Sequence, residues 1–105
     1  MAQPQPEKRS TRRFSLELPV TIKYANNAAT ELTAVARDVS SRGVFMYLDA
    51  EFAEGTILEF VMTLPREITL ADPIRVQCTG RVLRVETQDR RRGIAVSIDK
   101  YDFLS

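Results

Sequence analysis

The sequence predicts an all-β protein, a six-stranded antiparallel β-barrel with a flexible N-terminal arm. Six short segments alternate between apolar and polar residues, which is the periodicity of half-buried strands. Polar turns separate these segments, and no stretch of useful length has the helical period. Six short strands in 105 residues favour a closed sheet, because closure removes unpaired edges. A β-sandwich would produce the same alternation.

The first predicted strand covers residues 16–24, where every second residue is apolar. Pro19 lies on the polar face of this strand, and because proline lacks an N–H it predicts an edge position or a bulge. Asn26-Asn27 predict a turn. A second strand follows over residues 31–39 with less regular alternation.

The rest of the chain divides into four further strands and their connections. We predict the third strand at 44–48, the fourth at 57–64, the fifth from residue 74 onwards and the sixth at 94–98. The predicted connections are a segment with room for one helical turn at 49–55, a loop at 65–73 and a hairpin turn at 88–91. The apolar phase of the fifth strand slips near Leu83 and Val85, which predicts a β-bulge. The chain beyond the sixth strand has room for one or two helical turns.

Length and charge indicate a single domain, with residues 1–13 as a flexible arm and residues 14–105 as the barrel. The arm has two prolines and few apolar residues, so it cannot bury enough surface to become ordered alone. It carries four basic residues and one acidic residue, a net charge of +3, whereas the whole chain carries +1. The body is therefore about −2. The positive charge is concentrated in a short arm, which suits a small anion better than a DNA or RNA polymer.

The residue inventory argues against an enzyme and against a metal site. The chain has no histidine and one cysteine, so it cannot form a Ser-His or Cys-His nucleophile, a zinc cluster or an internal disulfide. We expect Cys78, Met46 and Met62 to lie in the core. No apolar run reaches the length of a membrane span, and the N-terminus has no signal sequence. We expect a cytoplasmic protein without a cofactor and without membrane insertion.

Two polar segments stand out from the strand pattern. One is the basic segment at residues 8–14, directly before the first strand, and the other is Asp38-Val39-Ser40-Ser41-Arg42-Gly43 at the end of the second strand. Taken alone, the first is a solvated tail. The second is an ordinary turn, in which Asp and Ser cap backbone N–H groups and Gly supplies a positive φ.

Together the two segments resemble the PilZ family. The family's RxxxR motif is matched by Arg9 and Arg13, and its DxSxxG motif by Asp38, Ser40 and Gly43. A G-x-V-x-x-V stretch and a final RRGIAVSI strand extend the resemblance over residues 8–100. The sequence departs from the family at its first motif, where a lysine stands in place of an adjacent arginine, and it lacks the long C-terminal helix of many members.

The resemblance implies a split-barrel type of fold and a receptor or adaptor for cyclic di-GMP. It also implies an arm that changes conformation on binding, and a protein effector as a partner. Arginine can donate two parallel hydrogen bonds to guanine or stack on it, whereas an ionised aspartate accepts from the guanine donor edge. A serine can do either, and a glycine lets the backbone approach closely. The implied ligand-binding residues are Arg9, Arg12, Arg13, Asp38, Ser40, Arg42 and Gly43.

Alternative interpretations remain open at this stage. A PilZ-like protein-interaction barrel would have the fold without binding a nucleotide. A barrel for single-stranded nucleic acid would need several exposed aromatic residues on one face, whereas the aromatic content here is 8%, without tryptophan. The run Arg90-Arg91-Arg92 is an exposed hairpin tip, or it borders the ligand site or contacts an acidic partner. Phe14 is the first core anchor or a base-stacking residue.

Overall fold

The computed structural model describes residues 17–88 and 90–104, without the side chain of Gln88. These residues form a closed antiparallel barrel of six strands with one extra strand. The strands are β1 (Leu18–Ala25), β2 (Ala28–Val39), β3 (Gly43–Leu48), β4 (Ile57–Leu64), β5 (Ile74–Gln88), β6 (Arg91–Ser97) and β7 (Lys100–Leu104). A four-residue helix, α1 (Arg66–Thr69), connects β4 to β5.

The barrel closes because β4 pairs with both β1 and β5. The strand order is β4-β1-β2-β3-β6-β5-β7, and the additional β4–β5 pairing joins the two ends of the six-stranded part. Residues of the six barrel strands that point inwards are removed from water, which is the main source of stability for a barrel of this size. The largest fully buried side chains are Phe60, Leu18, Ile22, Met46, Leu58, Ile94, Val20, Val82, Val96 and Cys78.

The expected core positions of the sulfur-containing residues are confirmed. Met46 and Met62 are buried in this core, and Cys78 is 1% exposed. Because burial disfavours the charged thiolate, it raises the pKa of Cys78 from 9.0 to about 11.

Bulges in β1 and β5 alter which residues face the core. The predicted slip in β5 is confirmed, since the β5–β6 register shifts between Val82 and Arg84. A second bulge, between Ile22 and Tyr24 of β1, did not appear in the predicted alternation. It turns Tyr24 outwards, so the prediction that this side chain shares the apolar face was wrong. β1 lies between β4 and β2 and is not an edge strand, but Pro19 is paired with β2 alone, because the pairing with β4 starts at Val20.

Three predicted connections differ from the structure. The only helical turn among the described residues is α1, which lies in the predicted loop at 65–73 and not at 49–55. The predicted hairpin turn at 88–91 is shorter, because β5 and β6 extend to Gln88 and Arg91. The C-terminal segment forms β7 and not helical turns, since β5 is long enough to pair with β6 and then with β7. Within the described residues, no helix is long and apolar enough to cross a membrane.

Candidate ligand-binding site

A bulge at the end of β2 turns two charged side chains to the outside of the barrel. The β2–β3 register shifts between Ala36 and Asp38, so Arg37 is the extra residue. Without the bulge, alternation would direct Asp38 into the core, because Ala36 is fully buried. With it, Arg37 and Asp38 are both on the outer surface, while Val39 returns to the interior.

The segment from Ser40 to Gly43 forms a tight connection held by its own polar groups. The Ser40 N–H donates to the Gly43 carbonyl at 2.9 Å, and the Arg42 N–H donates to the Ser40 hydroxyl at 3.3 Å. The Arg42 carbonyl accepts a hydrogen bond from the Ile98 N–H at 2.8 Å, which fixes the connection against the end of β6. Ser40 therefore stabilises the turn whether or not it contacts a ligand.

Gly43 lies at a close approach to a neighbouring strand. A Cβ at this position would lie 3.1 Å from the carbonyl oxygen of Val96 on β6. Its φ is not positive, in contrast to what the turn interpretation predicts for this glycine. The residue lets β3 and β6 approach closely beside the connection.

Arg37 holds the Asp38 carboxylate and reaches across to β3. Its Nε and Nη2 each lie 3.2 Å from Oδ2 of Asp38, and its Nη1 donates to the hydroxyl of Tyr47 at 2.6 Å. The guanidinium also lies 4.9 Å from the centre of the Phe45 ring, within cation–π range. These contacts restrict the orientation of Asp38, although an ion pair this exposed contributes little to stability.

A row of outward residues across four strands forms the floor and one side of a cavity. Asp38 on β2 is paired with Phe45 on β3, which is paired with Ala95 on β6. Ala95 is in turn paired with Arg84 on β5. The Phe45 ring lies over Gly93, where a Cβ would be 2.3 Å from Cζ of that ring. The cavity is about 370 Å³ and is lined by Arg37, Asp38, Val39, Ser40, Arg42, Gly43, Val44, Phe45, Leu83, Arg84, Glu86, Ala95 and Val96.

The cavity combines an apolar floor with charges of both signs at its rim. Arg84 is paired with Glu86 on the β5 side, opposite the Arg37–Asp38 pair on the β2 side. Arg42 is exposed at the connection between them. A flat ring system can lie on the apolar floor while arginines contact its anionic groups and a carboxylate accepts from its N–H donors.

The structure brings four of the seven predicted site residues together. Asp38, Ser40, Arg42 and Gly43 all line this cavity. Arg9, Arg12 and Arg13 lie outside the described residues, as does Phe14. Arg37, Phe45 and Arg84 also line the cavity and were not predicted from the sequence. The irregular alternation at the end of the second strand was the one signal of the bulge that exposes Arg37.

The arginine run at the β5–β6 hairpin lies beside a different cavity. Arg90, Arg91 and Arg92 line a space of about 430 Å³ with Tyr47 and Asp49, among others, and none of the three lines the first cavity. The Arg91 guanidinium lies 3.8 Å from the centre of the Tyr47 ring, and Arg92 is 3.4 Å from Glu51. The run therefore contributes no side chain to the lining of the first cavity.

No group of three or more Cys, Asp or Glu side chains in the described part of the chain is placed to hold a metal ion.

Comparison with known proteins connects this fold and site to a family. The family model described as PilZ domain matches residues 7–103, a range that contains both sequence motifs. The structure of the Bacillus subtilis inhibitor of motility (MotI/DgrA) superimposes with a TM-score of 0.73 at 18% sequence identity. The match covers 92% of this chain and 44% of that chain, so this chain spans less than half of that structure. No curated protein matches the sequence.

Proposed function

Because this chain belongs to the PilZ domain family, we propose that it is a receptor for cyclic di-GMP that signals to a protein partner. PilZ domains are receptor and adaptor domains and not enzymes. The observation that carries the proposal is the cavity on the outer wall, where Asp38, Ser40, Arg42 and Gly43 meet on an apolar floor. Cytoplasmic location follows as part of the proposal, because the ligand is an intracellular messenger.

The chemistry of the cavity suits a dianion that carries two guanines. The Asp38 carboxylate accepts hydrogen bonds from the donor edge of one guanine, while Arg37 holds it in place through Oδ2. Arg42 and Arg84 lie at the rim, where arginine can contact phosphate oxygens or the acceptor edge of guanine. The small side chain of Ala95 and the ring of Phe45 leave a surface on which a base can lie flat.

The arm supplies the remaining arginines in this proposal. Leu18, the first residue of β1, is paired with Ala36, next to the β2 bulge. Arg13 is five residues before Leu18, and an extended chain of that length spans about 17 Å. Arg9 has a reach of about 30 Å by the same measure. The arm is therefore long enough to bring both arginines to the cavity beside Asp38.

Calorimetric titration of the full chain with cyclic di-GMP tests the binding proposal and gives the stoichiometry. We expect Arg9→Ala, Arg13→Ala and Asp38→Ala each to weaken binding, since each removes charge-assisted hydrogen bonds of roughly 1–3 kcal/mol. Lys23→Ala and Glu31→Ala are matched controls, because these two residues form an exposed ion pair that lines no part of the cavity. Wild type that does not bind, or variants that bind as tightly as wild type, would contradict the assignment.

The same titration with cyclic di-AMP tests guanine recognition. Asp38 and Ser40 are proposed to read the base, whereas the arginines also neutralise the phosphates. Asp38→Ala should therefore lose discrimination between the two dinucleotides more than it loses general anion binding. Equal binding of both dinucleotides by wild type would refute this role.

Signalling is proposed to use the arm as the part that moves. Ordering about five arm residues costs on the order of 5–10 kcal/mol of backbone entropy, so ligand contacts must exceed that cost. Affinity should fall as salt rises, because part of the gain is electrostatic. Backbone relaxation measurements with and without cyclic di-GMP should show residues 9–13 mobile when free and ordered when bound. An arm that is rigid without ligand, or mobile at saturation, would refute the switch but not the binding.

One observation favours a second function, a protein-interaction barrel that binds no nucleotide. Ser40 stabilises its own turn and Gly43 accommodates β6, so both residues have structural roles without a ligand. Failure of wild type to bind cyclic di-GMP in the titration would favour this function.

A further inference from the structure

The extra strand β7 adds an open edge to the barrel. It pairs with β5 over residues 75–79, and no other described strand lies along its opposite edge. An edge strand presents unpaired N–H and C=O groups, which makes it a template for pairing with another chain.

The side chains of β7 add an exposed aromatic pair to this edge. Tyr101 and Phe103 are paired with Cys78 and Val76, and cross-strand partners lie on the same face of a sheet. Cys78 and Val76 face the core, whereas Tyr101 is 51% exposed and Phe103 is 64% exposed. The two rings contact each other edge to face, with centres 5.8 Å apart. An apolar face that continues from the core is therefore exposed beside unpaired backbone groups.

We propose that β7 pairs antiparallel with β7 of a second copy of this chain, about a twofold axis at Tyr101. In this register Lys100 is opposite the partner's Asp102, and the symmetry repeats that pair, so two opposite-charge contacts form. Tyr101 lies opposite the partner's Tyr101, and each Phe103 is diagonal to a tyrosine of the other copy, within reach of aromatic side chains. The register centred on Asp102 would place like charges opposite each other. The charge pattern of the strand thus favours the register centred on Tyr101 over the register centred on Asp102.

Sedimentation of the full chain over the micromolar-to-millimolar range tests the interface. Wild type should show a monomer–dimer equilibrium. Lys100→Asp and Asp102→Lys should each weaken the dimer about 10-fold, because each places like charges opposite one another at both symmetric positions. The double variant Lys100→Asp/Asp102→Lys should restore the dimer, since it reverses both members of each pair.

Two further variants serve as a charge-reversal control and as a test of the aromatic contact. Lys23→Asp reverses a charge on β1 away from β7 and should leave the dimer unchanged. Tyr101→Ser removes the ring on the axis and should weaken the dimer without unfolding the barrel, since that side chain is half exposed. A wild-type monomer throughout the range would overturn the proposal and leave the edge to the N-terminal arm or to another protein. A dimer that is insensitive to both single reversals, or a double variant that stays monomeric, would overturn it too.

Discussion

Gly93→Ala tests whether the Phe45 ring forms the floor of the proposed site. A Cβ at residue 93 would lie 2.3 Å from Cζ and 2.8 Å from Cε2 of that ring. Ordinary contact between carbon atoms needs about 3.5 Å, so the ring must retreat by about 1 Å. The ring contacts the Tyr47 ring edge to face and lies under the Arg37 guanidinium, which also holds Asp38. Displacing Phe45 should therefore displace the group that positions the Asp38 carboxylate.

Gly93→Ala is expected to affect both the stability of the protein and its affinity for cyclic di-GMP, and the two effects can be measured separately. Overpacking costs about 1–3 kcal/mol, and we expect the lower end here because a side chain on the outer face yields more easily than backbone. A misplaced carboxylate should weaken cyclic di-GMP binding about 10-fold, which corresponds to about 1.4 kcal/mol. Urea unfolding followed by far-ultraviolet circular dichroism measures the first quantity, since the chain has no tryptophan for fluorescence. Calorimetric titration measures the second.

A compensating substitution checks the mechanism of Gly93→Ala. Phe45→Leu in the Gly93→Ala background shortens the side chain that meets the new methyl group, so it should recover part of the lost stability and show a favourable coupling energy. Full loss of folding in Gly93→Ala, or no coupling between residues 45 and 93, would refute the placement of the ring. Unchanged cyclic di-GMP affinity in a variant that folds would refute the link from Phe45 to Asp38.

The remaining predictions concern three other positions. Gly80→Ala should cost at least about 3 kcal/mol in urea unfolding, because its Cβ would lie 1.6 Å from the backbone oxygen of Ser97; near-wild-type stability would contradict the close approach of β5 and β6. Arg37→Lys should weaken cyclic di-GMP binding nearly as much as Arg37→Ala, since lysine cannot contact Asp38 through two nitrogens and also reach Tyr47. Wild-type affinity in Arg37→Lys would contradict this prediction and show that the positive charge alone matters. The free energy of unfolding should fall between pH 9 and 11, because in this range the thiol of Cys78 ionises in the unfolded chain, while its raised pKa of about 11 keeps it neutral in the folded protein. The fall of this free energy with pH should be smaller in Cys78→Val, and equal slopes in the two proteins would contradict the raised pKa.

Much of the fold could be predicted because alternation reports directly on which face of a strand is buried. The fourth strand was predicted with its observed bounds, Ile57–Leu64, because it is an apolar run with no bulge, in which Leu58, Phe60 and Met62 recur at every second position and are buried. Bulges were harder, since one extra residue changes the phase without leaving a distinctive side chain. Leu83 and Val85 revealed the bulge in β5, but Lys23 in β1 is an ordinary polar residue in an alternating strand.

The seventh strand and the helix were not predicted, because both elements are short. In β7 the residues Tyr101 and Phe103 alternate with Lys100 and Asp102, yet five residues are too few to distinguish a strand from a helical turn. Its pairing depends on the length of β5, which is a property of the tertiary structure. The helix α1 is one turn long and buries no side chain, so no hydrophobic pattern could reveal it.

The candidate site was predictable only where its residues are consecutive. Asp38 to Gly43 form one motif, and the structure adds a reason for two of its positions: a bulge turns Asp38 outwards, and a close strand leaves little room for a Cβ at residue 43. Phe45 and Arg84 lie at the cavity because of the register in which β3, β6 and β5 pair, and this register could not be predicted from the sequence. Arg84 was missed because it is distant from the motif in the chain, and Phe45 because residues 44–48 are all apolar and show no alternation that would separate the two faces of the strand.

Amide chemical-shift mapping of the full chain during titration with cyclic di-GMP tests the central claim most directly. The account predicts saturable shifts concentrated at residues 37–43 and at Phe45, Arg84 and Ala95, which surround the cavity. Residues 23–31, on the β1–β2 hairpin and away from the cavity, should change little. The absence of shifts at saturating ligand, or shifts centred on the β1–β2 hairpin, would contradict the proposal that cyclic di-GMP binds at this cavity.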